Sequence, residues 1–367
     1  MINSNTPGDE QRGSIRPLKR HFVRIKHTLA FLLAALSCHC SLLAQSNASG
    51  ISLLKKTLIG GEGGWDYLSV STDDRRLYLS HATQVEVLNA DTHEKIGIIP
   101  GTKGVHGICP IPSLGKGFIT NGKTNNVTVF DLATLKTLST LPAGENPDAL
   151  LYDKFSNRVF IFNNDSRNIT VIDAPSNKII RTFDVGGNPE TGVTDGHGAI
   201  YVNLEDANEI VVFDSRTLAI QHRFALSPGQ QPTGLAFDNR AHRLFSVCRK
   251  SQLMMVLNAD NGRIIAQLPI GKGVDGAIYD EHAGLAVASN GDGTLTVVKE
   301  SSPGKFEVID TISTQRGAKT LAFDTGTGHL FTVTAQLGET PPPTADNPKP
   351  RPAIVPGTFT LLEYGKK

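Results

Sequence analysis

The chain has 367 residues, with 36 basic against 35 acidic side chains, a hydrophobic share of 39% and a charged share of 19%. That length and apolar share suffice to bury a core, and a charged share below the roughly 25% of average globular chains argues against disorder. The near-zero net charge disfavours a protein built to hold nucleic acid, because such binding rests on neutralising phosphates.

In chain order, the first feature is a leader. Arg12, Arg16, Lys19, Arg20, Arg24 and Lys26 precede the apolar run Thr28–Leu36, and small residues follow up to Ala44. A basic stretch, a short apolar core and small residues beyond it mark a secretory signal peptide. The run falls short of the ~20 residues that span a bilayer. The expected organisation is a signal peptide over residues 1–44, a short linker over 45–50 and a folded region over 51–367. The mature chain then has no transmembrane segment and is extracytoplasmic, periplasmic or secreted. Lipoprotein anchoring at Cys38 is disfavoured because Ala35 fits the cleavage box poorly. Cys38 and Cys40 belong to the leader. Cys109 and Cys248 fall in different sectors of the repeat below and are expected as free thiols. No Cys-x-x-Cys-His occurs, which excludes covalent c-type haem.

Beyond the leader one apolar phrase recurs about every 42 residues: Gln84–Asn89, Asn126–Asp131, Asn168–Asp173, Glu209–Asp214, Leu253–Asn258, Thr294–Lys299 and, after a longer gap, Thr358–Glu363. A shorter run precedes each copy, as in Gly117–Asn121, Val159–Asn163 and Ile200–Asn203. Another follows, as in Lys178–Phe183 and Arg263–Leu268, and the next unit opens with runs such as Ala149–Tyr152 and Gly234–Phe237. β-Branched and aromatic residues fill these runs, and Gly, Asn, Asp and Pro separate them, which predicts strands joined by tight turns. Four short strands per unit, seven times, predicts an all-β, seven-bladed β-propeller. The chain stops after the third strand of the last unit, and Leu53–Ile59 resembles the missing fourth strand. It is expected to complete the last blade, close the ring and remove the open edges.

Gly117–Asn121 followed by Asn125–Asp131 resembles the YVTN repeat of the YncE-like seven-bladed propellers. The resemblance extends over residues 51–367, with departures at Leu244–Cys248 and in a Pro-rich insertion over 338–356 of blade seven. It implies a fold; the repeated residues build strands and turns and imply no particular chemistry.

Alignment of the units places Asp66, His106, Asp148, Glu190, Thr233, Asp275 and Lys319 at the start of successive inner strands. His81, Asn121, Asn163, Asn203, Cys248, Ser289 and Thr334 stand at the end of successive second strands. Both sets are expected on the top rim. A top-face funnel is therefore expected to gather Asp66, His106, Asp148, Glu190, Asp275, Lys319, Asn121, Asn163 and Arg249. Four carboxylates at one mouth repel each other and call for compensation by Lys319, Arg249, Lys123, Arg167, water or a divalent cation. Asp66, His81, His106 and Asp148, from three adjacent blades, are the residue types that hold such a cation. The insertion is stiff and extended, and it is expected to form a lid or an outlying excursion.

The expected function is binding of a small molecule, a peptide or a protein partner at the top face, without catalysis. Two alternatives stay open: a lactonase-like, metal-assisted hydrolase, and a propeller that binds a redox cofactor.

Overall fold

Alternation of apolar residues along each run dictates how the strands stack: one set of side chains faces each neighbouring sheet, so every sheet must be covered on both sides. The computed structural model describes residues 48–344, 347–348 and 350–367. The leader, with Cys38 and Cys40, lies outside the described residues. Seven four-stranded antiparallel sheets form the blades of a β-propeller. Blade three is typical, with Pro147–Asp153 innermost, then Arg158–Asn163, Asn168–Asp173 and Lys178–Asp184. The recurring phrase is the third strand of each blade. Among the described residues the helical segments are two three-residue 3-10 turns, and no helix is long and apolar enough to cross a membrane.

The core lies between blades. Phe160, Phe162, Val171 and Phe183 of blade three pack against Ile200, Val202 and Phe213 of blade four. Each such fully buried side chain contributes ~1.5–3 kcal/mol relative to exposure. Outer strands carry exposed apolar residues, including Leu138, Ile179 and Ile220, because only one of their neighbours is a sheet.

Blade seven consists of Ala322–Asp324, His329–Thr334 and Thr360–Lys366, completed by Ile51–Leu58 as the outermost strand. The closing strand runs antiparallel to Thr360–Lys366, from Ile51 opposite Lys366 to Leu58 opposite Thr360. It starts two residues earlier than the sequence suggests, because Ser49 reaches back to blade six: its Oγ donates to Asp310 Oδ2 at 2.7 Å. The expected ring closure is thus present. Cys109 and Cys248 are free thiols.

The second-strand termini turn inward rather than onto the rim. His81, Asn121, Asn163, Asn203, Cys248, Ser289 and Thr334 are all buried. Asn163 Nδ2 donates to Asn168 Oδ1 at 2.8 Å and Thr170 Oγ1 at 2.9 Å, and Asn121 does the same to Asn126 and Thr128. Asn121 and Asn163 therefore pin the hairpin between the second and third strands, whereas Asn203 Nδ2 donates across to Thr233 O at 2.9 Å and Gly234 O at 3.0 Å in blade five.

Candidate functional site

A backbone irregularity sets the direction of the first set of side chains. In blades two to six the pairing of the inner strand slips next to its first residue: between Val105 and Ile108, Pro147 and Leu150, Pro189 and Gly192, Pro232 and Leu235, and Val274 and Gly276. A bulge leaves a residue unpaired and re-aims its side chain. His106, Asp148, Glu190, Thr233 and Asp275 occupy these slips. Glycines next to them let neighbouring inner strands approach. A Cβ on Gly234 would stand 2.6 Å from the Ala277 backbone nitrogen, so only glycine fits there.

The result is a funnel at the axis. One stretch of it encloses about 670 Å³ and is lined by Asp66, Tyr67, His106, Asp148, Glu190 and Asp275 together with Arg249 and Lys319. An adjoining stretch of about 740 Å³ shares Asp66, His106 and Lys319 and adds Trp65, Lys123 and Asp165. His106 Nδ1 lies 2.6 Å from Asp66 Oδ2 and 3.2 Å from Asp148 Oδ1. Lys319 Nζ donates to Asp66 Oδ1 at 2.9 Å and also to Asp275. Arg249 joins Asp275 and reaches Glu205 Oε1 at 3.2 Å. The expected compensation by Lys319 and Arg249 is in place. Of the other two candidates, Lys123 lines the funnel, while Arg167 pairs with Asp206 instead.

The charges divide unevenly around the ring. Burial would raise the Asp66 carboxyl, but Lys319 and His106 override it and hold it at about 2. Asp148 is pushed up to about 7, first by burial and then by the Asp66 charge. Glu190 is raised well above the ordinary carboxylate range, by burial and then by Asp148 and Asp275. His106 is raised as well: burial works against its charge, and Asp66 and Asp148 outweigh it. Blades six, seven and one thus hold paired charges, while Asp148 of blade three has only His106, which it shares with Asp66, and Glu190 of blade four makes no ion pair.

Asp66, His106 and Asp148 bring one ligand atom each within 4.8 Å of one another and could hold a cation. His81 is not with them. Its ring stacks on Phe359 with centroids 4.2 Å apart, and its Nδ1 faces Glu86 at 3.3 Å. Asn121 and Asn163 sit in their hairpins and do not line the cavity. Trp65 lines the mouth while its Nε1 donates to Gly317 O at 3.3 Å.

The Pro-rich insertion returns over the funnel. Leu337 bridges to Ile354, and Gly338 N donates to Ala353 O at 2.8 Å, so its two limbs form a narrow stem. The stem carries Arg351 and Pro352 to the cavity wall. Sequence reasoning missed Arg351, Tyr67 and Glu205. Tyr67 adjoins Asp66, and Glu205 stands two residues past Asn203, so proximity to the aligned positions was the available signal. Nothing local marks Arg351.

Residues 65–200 match the family model described as YNCE-like beta-propeller. Over that span the chain is similar to the YNCE-like β-propellers. Comparison with the curated proteins finds no match. The YNCE-like match spans four ring positions, Asp66, His106, Asp148 and Glu190, and stops short of Arg249, Asp275 and Lys319. The division of charge around the funnel therefore rests on geometry and not on the family match.

Proposed function

We propose that the chain is an exported binding module that holds a small molecule, a peptide or a segment of a protein partner in its top-face funnel, without catalysis of its own. One observation carries the reading: all seven blades deliver a charged or ionisable side chain to one cavity, Arg249 standing in for Thr233 in blade five. The inner strands are otherwise largely apolar, so this concentration of charge is costly unless a ligand uses it.

The experiment is thermal melting and calorimetric titration against amino acids, short peptides, sugars, organic acids and divalent chlorides. A ligand is expected to raise the wild-type midpoint, and Asp148→Asn combined with Glu190→Gln to weaken it. Asn163→Ala is the control. Loss of its buried bonds should cost roughly 1–3 kcal/mol of stability while affinity stays unchanged. If no compound shifts the midpoint, the ring merely lines a water-filled channel and the reading falls.

Export rests on the leader. N-terminal sequencing of protein from an extracytoplasmic fraction should begin between Gln45 and Ser49, and a mature start at Met1 would overturn it.

A second reading has its own support. The Asp66, His106 and Asp148 trio is the donor set of a metal-assisted hydrolase. Metal analysis of purified protein, with hydrolysis of lactone and ester substrates abolished by His106→Ala, would favour it.

A further inference from the structure

We propose that the blade-three and blade-four side of the funnel is a receptor for a protonated primary amine, held by Asp148 and Glu190. This deepens the binding reading above and rests on it.

Three observations point there. Glu190 is 94% buried by its 6% exposure, lines the cavity and makes no hydrogen bond or ion pair. Asp148 Oδ1 is buried without a hydrogen bond, because the His106 N–H that faces it is engaged by Asp66 at 2.6 Å. Tyr67 lines the same wall, and the two charges that most affect its phenol are those of Asp148 and Glu190. An ammonium group brings three donors and one positive charge, which matches two carboxylates and a phenol oxygen. A buried polar group without a partner costs free energy, and a charged donor relieves more of that cost than water does.

A divalent metal fits this wall less well. The trio that could chelate it includes Asp66, which Lys319 already neutralises from 2.9 Å, so the metal would sit beside an ammonium. Glu190 stands outside that trio and meets no such conflict. The far end of the ligand is expected to be anionic. Arg316 and Arg351 also line the cavity, and among the described residues neither guanidinium makes a hydrogen bond or ion pair.

The test is calorimetric titration with a matched set: 6-aminohexanoate, N-acetyl-6-aminohexanoate, hexylamine, hexanoate and manganese chloride. 6-Aminohexanoate and hexylamine should bind, and acetylation should weaken binding by about ten-fold or more. Glu190→Gln should weaken both amines by a similar factor. Arg351→Ala should weaken 6-aminohexanoate and leave hexylamine unchanged. Melting of each variant checks that it folds, and an unfolded Glu190→Gln is replaced by Glu190→Ala. If hexanoate and the acetylated compound bind as well as the amines, the amine receptor is wrong while the funnel remains a binding site. If manganese alone binds, the metal reading displaces it. If nothing in this set binds but another compound in the broader panel does, the amine receptor again fails by itself. Silence across both sets overturns the binding reading too.

Discussion

Deleting the closing strand Ile51–Leu58 should abolish cooperative melting and leave an aggregation-prone chain. The strand supplies the outer edge of blade seven along its whole length, pairing with residues from Thr360 to Lys366. Ile51 is buried in a cluster with Leu285, Leu330, Leu362 and Tyr364, which joins blade six to blade seven. Lys56 Nζ donates to Gln315 Oε1 at 3.0 Å on that side, and Thr57 Oγ1 meets His93 Nδ1 at 2.8 Å on the blade-one side. Its loss removes contacts to two neighbouring blades and opens a strand edge. An open edge templates pairing with other chains. The buried Ile51 alone accounts for ~2–5 kcal/mol in an Ile51→Ala variant, a large part of the 5–15 kcal/mol that holds a typical domain together. Calorimetry and light scattering of the deleted protein are the measurements. A peptide of residues 48–60 added in trans should restore part of the transition. An unchanged, monomeric melt would show that the ring holds without its closure.

The ring was legible in the sequence because repetition amplifies a weak signal. One run such as Val159–Asn163 reads as a strand of uncertain place, whereas seven at a constant interval define a blade and its neighbours. The funnel's first set was legible for the same reason. Asp66, His106, Asp148, Glu190 and Asp275 share a position in the unit, and the bulge beside four of them recurs with it. Direction was not legible. Side chains alternate along a strand, and whether a terminal residue faces the axis or its own hairpin depends on a one-residue slip that no composition reveals. His81, Asn121 and Asn163 therefore shared an aligned position with the rim and yet face into their blades. The insertion shows a different limit. Its prolines announce stiffness, but the landing point of Arg351 depends on the Leu337–Ile354 stem, a tertiary contact.

The pair Asp148→Asn and Glu190→Gln should make the empty protein more stable at pH 8 and leave it unchanged near pH 4. Both carboxyls hold protons more tightly folded than unfolded: Asp148 rises from 3.8 to about 7, and Glu190 shifts in the same direction. Between the ordinary carboxylate range and about pH 7 the folded chain binds more protons than the unfolded one. Stability therefore falls as the pH rises through that window. Below it both states are protonated and the penalty is absent. Above it the folded state bears two poorly neutralised charges, which the amides remove at nearly constant volume. Three pKa units correspond to about 4 kcal/mol; after relaxation and water entry roughly 1–3 kcal/mol should survive, or about 2–5 °C in the midpoint of a chain this long. Asp66 behaves oppositely. Held at about 2, it contributes stability that is lost as the pH falls below its ordinary range, so Asp66→Asn should destabilise at neutral pH. Melting of the three variants across pH 4–8 by circular dichroism distinguishes these signs. If the double variant is less stable at every pH, Asp148 and Glu190 hold the inner strands together. Their charge is then structural, and the funnel lining needs no ligand to account for it.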